Sequence, residues 1–383
     1  MSRTVTFGIV GGHGATGRIV ASELWKSCDG EILIGGGDLA EGKALAAEFD
    51  GRASAAHVDI LGAHSLDDFC SRCSIVVNCA GPVMALQDRV AQAAFRGRCH
   101  YIDAAGMSFV KERLLPHRQE IEDLGLSFVV SAGWNPGISE LLPVYADAQA
   151  RAKMDTIESL TVYFSDSGEW SANALRDAVW YVRKSGLRSP GYFRKGEWTR
   201  AKLSETSRRV NLGEPVGPGR FVMVSLPELS EVGRRLNNYD VFTYTYLSGF
   251  RTIMATTLMA LVPLPDGLSV RLFRNLFRRN RLPVDGFVVA QILGRSQGRR
   301  LALTAQIVYK ERRDYRIHGL VLATVARTVS ESNGVRAGIH FLADAVDPIA
   351  FMTELRKAGV DADRDPRTSS RMNAVPHKHS GYS

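Results

Sequence analysis

The chain has 383 residues, 45% of them apolar and 23% charged, and a formal net charge of +8. That length supports two cores, and the charge is too modest for its size to mark a nucleic-acid binder. Five cysteines, all before residue 100, exclude a disulfide framework. No apolar run reaches the ~18 residues of a membrane span, and residues 1–6 lack the order of a secretory signal. A cytoplasmic protein without a metal site is expected.

Apolar strands are predicted at 5–10, 31–36, 55–60, 74–81, 99–106 and 126–133, with helical stretches such as AEGKALAAEF and LQDRVAQAAF between them. Repeated βα units joined by short turns predict an α/β fold over 1–134, a doubly wound parallel sheet with right-handed crossovers. In LDDFCSRCSIVV, Cys70 and Cys73 form a CxxC with no second pair. It reads as a helix end packed on a strand, with a redox or zinc pair as the alternative. After Pro136 the pattern changes. Segments 157–165, 287–293 and 301–309 alternate like strands with one exposed face, and GRSQGRR (294–300) reads as a hairpin loop. A second α+β domain on a mainly antiparallel sheet, for substrate binding and dimerisation, is expected at 135–334. The helical stretch 345–360 returns to the first domain, and 366–383 reads as a disordered tail.

The stretch GIVGGHGATGR (8–18) follows the first strand and opens the first helix. Gly12, Gly14 and Gly17 satisfy G-x-G-x-x-G, with Gly11 just before them. Such glycines allow a tight turn, a close approach of backbone to a pyrophosphate, and close helix–strand packing. Gly11, Gly12, His13, Gly14, Ala15, Thr16, Gly17 and Arg18 are therefore read as a dinucleotide loop. At the end of the second strand, Gly36 and Gly37 stand where an NAD-selective carboxylate would be, and Asp38 comes late. With Arg18 and Lys43 available to a 2′-phosphate, NADP(H) is expected, and NAD(H) is the alternative if Asp38 binds the ribose. Asp38 reads equally as a helix N-cap.

NCAGP (78–82), YIDAAG (101–106), GWNPGISELL (133–142) and DYRIHGLVLATVAR (314–327) follow in order. With them the chain resembles the saccharopine dehydrogenase-like oxidoreductases. The resemblance implies a Rossmann domain, a second domain closing over the nicotinamide, and chemistry at a C–N bond. It places Asp59 near the adenine and Asn78, Ala80, Gly81 and Pro82 at the nicotinamide ribose. Asp103 and Ala104 fall beside the nicotinamide, and Gly133 and Trp134 at the turn into the second domain. Two positions depart from the pattern. Asn135 precedes the proline where members acting on lysine derivatives carry an acid, and His318 stands where a threonine often precedes the glycine.

On the substrate side, FSDSGEWSANALRDAVWYVRKSG (164–186) passes from a strand into a helix. Arg176 is the candidate clamp for a substrate carboxylate; alternatively it belongs to a basic helix face with Arg183 and Lys184. Asp166 and Glu169 either recognise a substrate amine or cap the helix. Asp103 and His318 are candidates for handling a proton, each with a structural reading beside it, and His340 is a further histidine of suitable intrinsic pKa. Asp103 and Arg176 are expected to face each other across the nicotinamide. The leading function is NADP-dependent hydride transfer to or from an imine or secondary amine of an amino-acid-derived small molecule, by a homodimer with no nucleic-acid partner. Reduction of a C=C bond on an apolar substrate is the alternative, and a cofactor-binding sensor a third reading. The apolar 245–264 followed by the basic LSVRLFRNLFRRNR (268–281) supports the alternative, as a tunnel lining or a peripheral membrane contact.

Overall fold

Continuous apolar runs make strands buried on both faces, as a parallel sheet covered by helices requires. β1 (Thr6–Val10), β2 (Glu31–Gly36), β4 (Ile75–Asn78), β5 (His100–Asp103) and β6 (Ser127–Val130) are such strands, while β3 (Ala53–His57) is a part-exposed strand at the sheet edge. The second sheet takes β7 (Thr156–Asp166), β8 (Gly191–Arg194), β9 (Glu197–Arg200), β10 (Ser207–Asn211), β11 (Pro218–Met223), β12 (Asp240–Tyr246), β13 (Gly286–Ser296) and β14 (Arg299–Tyr309). β15 (Gly338–Phe341) then returns to the first sheet. This computed structural model describes residues 4–166, 170–184, 190–246, 254, 262, 264–277, 282–309, 315–331 and 334–360.

The first sheet has the order β15-β6-β5-β4-β1-β2-β3, every pair parallel. The order reverses between β1 and β4, so a crevice opens there at the strands' carboxyl ends. The second sheet runs β10-β11-β12-β7-β13-β14, antiparallel except for β12 with β7, and carries β8 and β9 off β12. β13 and β14 are joined by the turn Gln297–Gly298, both at positive φ (49° and 75°), the two-residue geometry that continues the twist of a hairpin.

One core runs through both sheets. Ile9, Ile34 and Val77 join Leu141, Leu142 and Ala146 of the helix Ile138–Arg151, which reaches Leu160, Val288 and Ile292 of the second sheet. The helix Arg316–Ser330 lies on the helix Ala15–Ser27, where a Cβ at Gly319 would come within 2.4 Å of Ile19 Cγ2. The helix Pro348–Lys357 packs on Ile138–Arg151 and Arg316–Ser330, with Asp347 capping its start. Glu169, most of 245–264 and the tail 366–383 lie outside the described residues. No described helix is long and apolar enough to cross a membrane.

Candidate active site

The chain turns directly after β1. Gly11 takes φ +74°, and a Cβ there would strike Ala80 at 3.0 Å. A Cβ at Gly12 would lie 2.9 Å from Ile34, and one at Gly17 only 2.4 Å from the Gly11 carbonyl oxygen. Those glycines seat the helix on the sheet. Gly14 differs, for it is exposed and a Cβ would meet the Gly11 carbonyl oxygen alone, at 3.1 Å. No side chain caps the helix that Gly14 begins, so its first N–H groups and its positive dipole end face the crevice. Arg18 donates from Nε to the His13 carbonyl at 2.8 Å, and its terminal nitrogens meet no acceptor among the described residues.

At the end of β2 the His13 ring covers Gly36, where a Cβ would come within 2.3 Å of the imidazole. No carboxylate fits at 36 while the ring lies there, and Gly37 borders open space. Asp38 is the N-cap of Leu39–Ala46, accepting from Ala40 N at 2.9 Å and Glu41 N at 3.0 Å. Its Oδ1 is thus engaged with its own helix. The terminal nitrogens of Arg18, the bare Gly37 and the missing acid together suit a 2′-phosphate. Asp59, Gly37, His57 and Leu61 border an open cleft of about 430 Å³ beyond β2 and β3.

The other half of the crevice is shaped by Asn78, which accepts from Ala80 N at 3.1 Å and donates to the Tyr101 hydroxyl at 3.2 Å. The next segment, which carries Gly81 and Pro82, is gripped from the second domain. Asn173 donates to the Gly81 carbonyl at 2.9 Å, and Asp177 accepts from Val83 N at 3.0 Å and Met84 N at 3.2 Å. Burial raises the Asp177 pKa and its two N–H donors oppose that. The sequence reading passed over both residues; their signal is the i, i+4 spacing that sets them on one face of the helix Ala172–Lys184.

Asp103 is 2% exposed beneath the 104–106 turn. Its Oδ1 accepts from Gly106 N and, at 2.9 Å, from Ser131 N. Burial pushes its pKa up to about 6 against the pull of these donors. Arg176 is exposed and reaches Asn173 Oδ1 at 3.5 Å. Asp103 does not face Arg176 across the crevice as expected, because it turns inward to satisfy backbone amides. Arg176 stays near the cofactor loop through its neighbour Asn173. Trp134 also departs from expectation. It is 1% exposed, edge-on to Tyr309 with centroids 5.1 Å apart, and so belongs to the core rather than to a cofactor contact.

Gly133, by contrast, is a bare meeting point. A Cβ there would lie 2.4 Å from the Ala104 carbonyl oxygen and 3.3 Å from His318 Nδ1. His318 therefore stands against the Gly133 turn, on the side of the Ala104 carbonyl. Its surroundings lower its pKa by burial, opposed by the charge of Asp166. Asp166, at the end of β7, accepts from the Tyr309 hydroxyl at 2.8 Å. His340 is remote from this cluster, buried in β15 with Nε2 3.2 Å from the Ala337 carbonyl. Cys73 packs on Gly8, and burial pushes its thiol up to about 12, far from a reactive thiolate.

Two further carboxylates lie in the seam between the domains. Glu140, 2% exposed, accepts from Gly137 N and from Ser139 Oγ at 2.8 Å. Glu228, equally buried, accepts from Ser108 N at 2.9 Å and the Tyr181 hydroxyl at 3.2 Å. Burial, and then the charge of Glu228, push the Glu140 pKa up to about 7. A carboxyl raised in the folded state stabilises the fold at low pH, and that contribution is lost as pH rises through the folded value. Between pH 6.5 and 8 the share of this loss from Glu140 is expected to be about 1 kcal/mol. Chemical denaturation at both pH values checks this. A Glu228→Gln variant, freed of the like charge, is expected to show a shallower fall.

Residues 7–129 match the model of the saccharopine dehydrogenase NADP binding domain. The chain is similar in structure to apo saccharopine dehydrogenase (L-Glu forming) from Saccharomyces cerevisiae, with 15% identity and a TM-score of 0.62, over 93% of this chain and 98% of that one. A probable dehydrogenase from Thermotoga maritima aligns at 11% identity and a TM-score of 0.47, over 92% and 93% of the two chains. No curated protein sequence matches the chain. Residues 7–129 are thus an NADP-binding domain of the saccharopine dehydrogenase type, with NADP(H) as its cofactor, in a chain that has the fold of saccharopine dehydrogenase.

Proposed function

We propose that the enzyme transfers hydride to or from the C–N bond of an amino-acid-derived imine or secondary amine. The observation that carries this reading is His318 against Gly133, a histidine kept neutral by burial beside the Asp166 carboxylate. NADP(H), when bound, supplies or takes up the hydride at its nicotinamide. In the oxidative direction His318 accepts the proton that the amine nitrogen gives up, and Asp166 steadies the imidazolium. In reduction the same imidazolium returns the proton to nitrogen. Asn173 and Asp177 hold residues 81–84, so the cofactor side of the cleft is set by the second domain. Arg176, exposed one turn along from Asn173, is the group for a substrate carboxylate.

The test is NADPH oxidation with mixtures of oxo acids and amines, against enoyl substrates with no carboxylate near the reacting carbon. Turnover with an oxo acid–amine pair is expected. Arg176→Ala should then raise KM roughly 10–100-fold with kcat little changed, as for a charged hydrogen bond made equally in ground and transition states. Turnover confined to the enoyl substrates overturns the C–N reading.

A further inference from the structure

The helix Asp266–Phe277 has two unlike faces. Phe273, 2% exposed, packs with Leu175 and Val179 of the helix Ala172–Lys184, with Val270 and Leu272 partly buried beside it. Arg183 fastens its start, donating to Asp266 Oδ1 and Ser269 Oγ, both at 2.7 Å. The opposite face is open. Leu268 is 51% exposed, and Arg271, Arg274 and Asn275 are exposed with it. Positions 268, 271 and 275 recur at helical spacing and 274 borders them, so these side chains form one stripe. In the chain just before the helix, Met254 and Val262 are 54% and 38% exposed.

The charge on this stretch is one-sided. Residues 262–281 hold five arginines and a single acid, Asp266, which Arg183 already engages. Exposed Leu268 beside Arg271 and Arg274, which pair with no acid among the described residues, matches a surface that is both anionic and apolar underneath. A polynucleotide would use the arginines and leave Leu268 in water. We propose that this face docks on an anionic lipid surface, with Leu268 at the boundary of headgroups and acyl chains and Arg271 and Arg274 among the headgroups. The docking helix packs on Ala172–Lys184, whose first turns hold Gly81, Val83 and Met84. One helix thus links the lipid-facing surface to the cofactor loop.

Flotation of the full chain with vesicles tests this, comparing phosphatidylcholine alone with equal parts phosphatidylcholine and phosphatidylglycerol. Co-flotation with the anionic vesicles, weakened by high salt, is expected. The double variant Arg271→Gln, Arg274→Gln should lower partitioning on the order of tenfold or more, and Leu268→Ser several-fold, with unchanged melting temperatures. Absence of co-flotation overturns the proposal. So does co-flotation that ignores these substitutions, or equal recovery with both vesicles. Retention of single-stranded RNA with the same dependence on Arg271 and Arg274, without vesicle binding, overturns it in favour of a nucleic-acid face.

Discussion

Replacing His318 by Gln is expected to lower kcat by roughly 10²–10⁴-fold, the scale of a lost general acid or base, while NADPH still binds. Glutamine keeps a polar side chain of similar reach beside Gly133 but cannot exchange a proton near neutral pH. The pH profile separates a chemical role from a packing role. Burial holds the His318 pKa below its usual 6.5, so the imidazole is the neutral, proton-accepting form over the neutral range. Amine oxidation should persist at neutral pH and fall as pH drops through that lowered value. The variant should lose this acid limb along with most of its rate. Asp166 pulls the other way on the same pKa. Asp166→Asn is therefore expected to move the limb to still lower pH, where a merely structural acid would leave it in place. Steady-state kcat against pH for the three proteins decides the matter. An unchanged rate in His318→Gln removes the residue from the chemistry.

The parts of this site that were legible in the sequence are local. The glycine loop, the missing acid at 36 and the strand ends each follow from residues within a few positions of one another. Asp38 shows the limit of such reading, since a carboxylate after a strand serves a ribose or a helix start equally well, and only its bonds to Ala40 and Glu41 decide. β15 was invisible because Gly338–Phe341 is too short to show a period and is a strand only by pairing with β6. The grip of Asn173 and Asp177 joins groups more than 90 residues apart, and no spacing rule reaches that far. Asp103 was read from its place at a strand end, which is correct; its inward turn depends on amides of two separate loops. What the sequence lacked was contact information, and it erred where one side chain had two physically sound uses.

Gly14 and Gly17 stand three residues apart in one motif, yet their valine variants are expected to fail in opposite ways. Gly14 sits at φ −71° and ψ 170°, a conformation open to any residue, and a Cβ there meets only the Gly11 carbonyl oxygen, at 3.1 Å. Gly14→Val should fold with a melting temperature close to the parent. Its branched side chain, however, fills the space over the uncapped helix start where backbone and pyrophosphate must approach each other. NADPH affinity should fall by about 100-fold or more, a little under 3 kcal/mol. At Gly17 the obstacle is the protein itself, with a Cβ 2.4 Å from the Gly11 carbonyl oxygen and 2.6 Å from Gly12 Cα. These are backbone atoms with no rotamer to yield, so Gly17→Val should push the first helix off the sheet and lower the melting temperature sharply. Calorimetric titration with NADPH and thermal melting of both variants read the two effects separately. Tight binding by a folded Gly14→Val protein would place the pyrophosphate away from this loop, and an unshifted melt for Gly17→Val would mean the helix has room the packing does not offer.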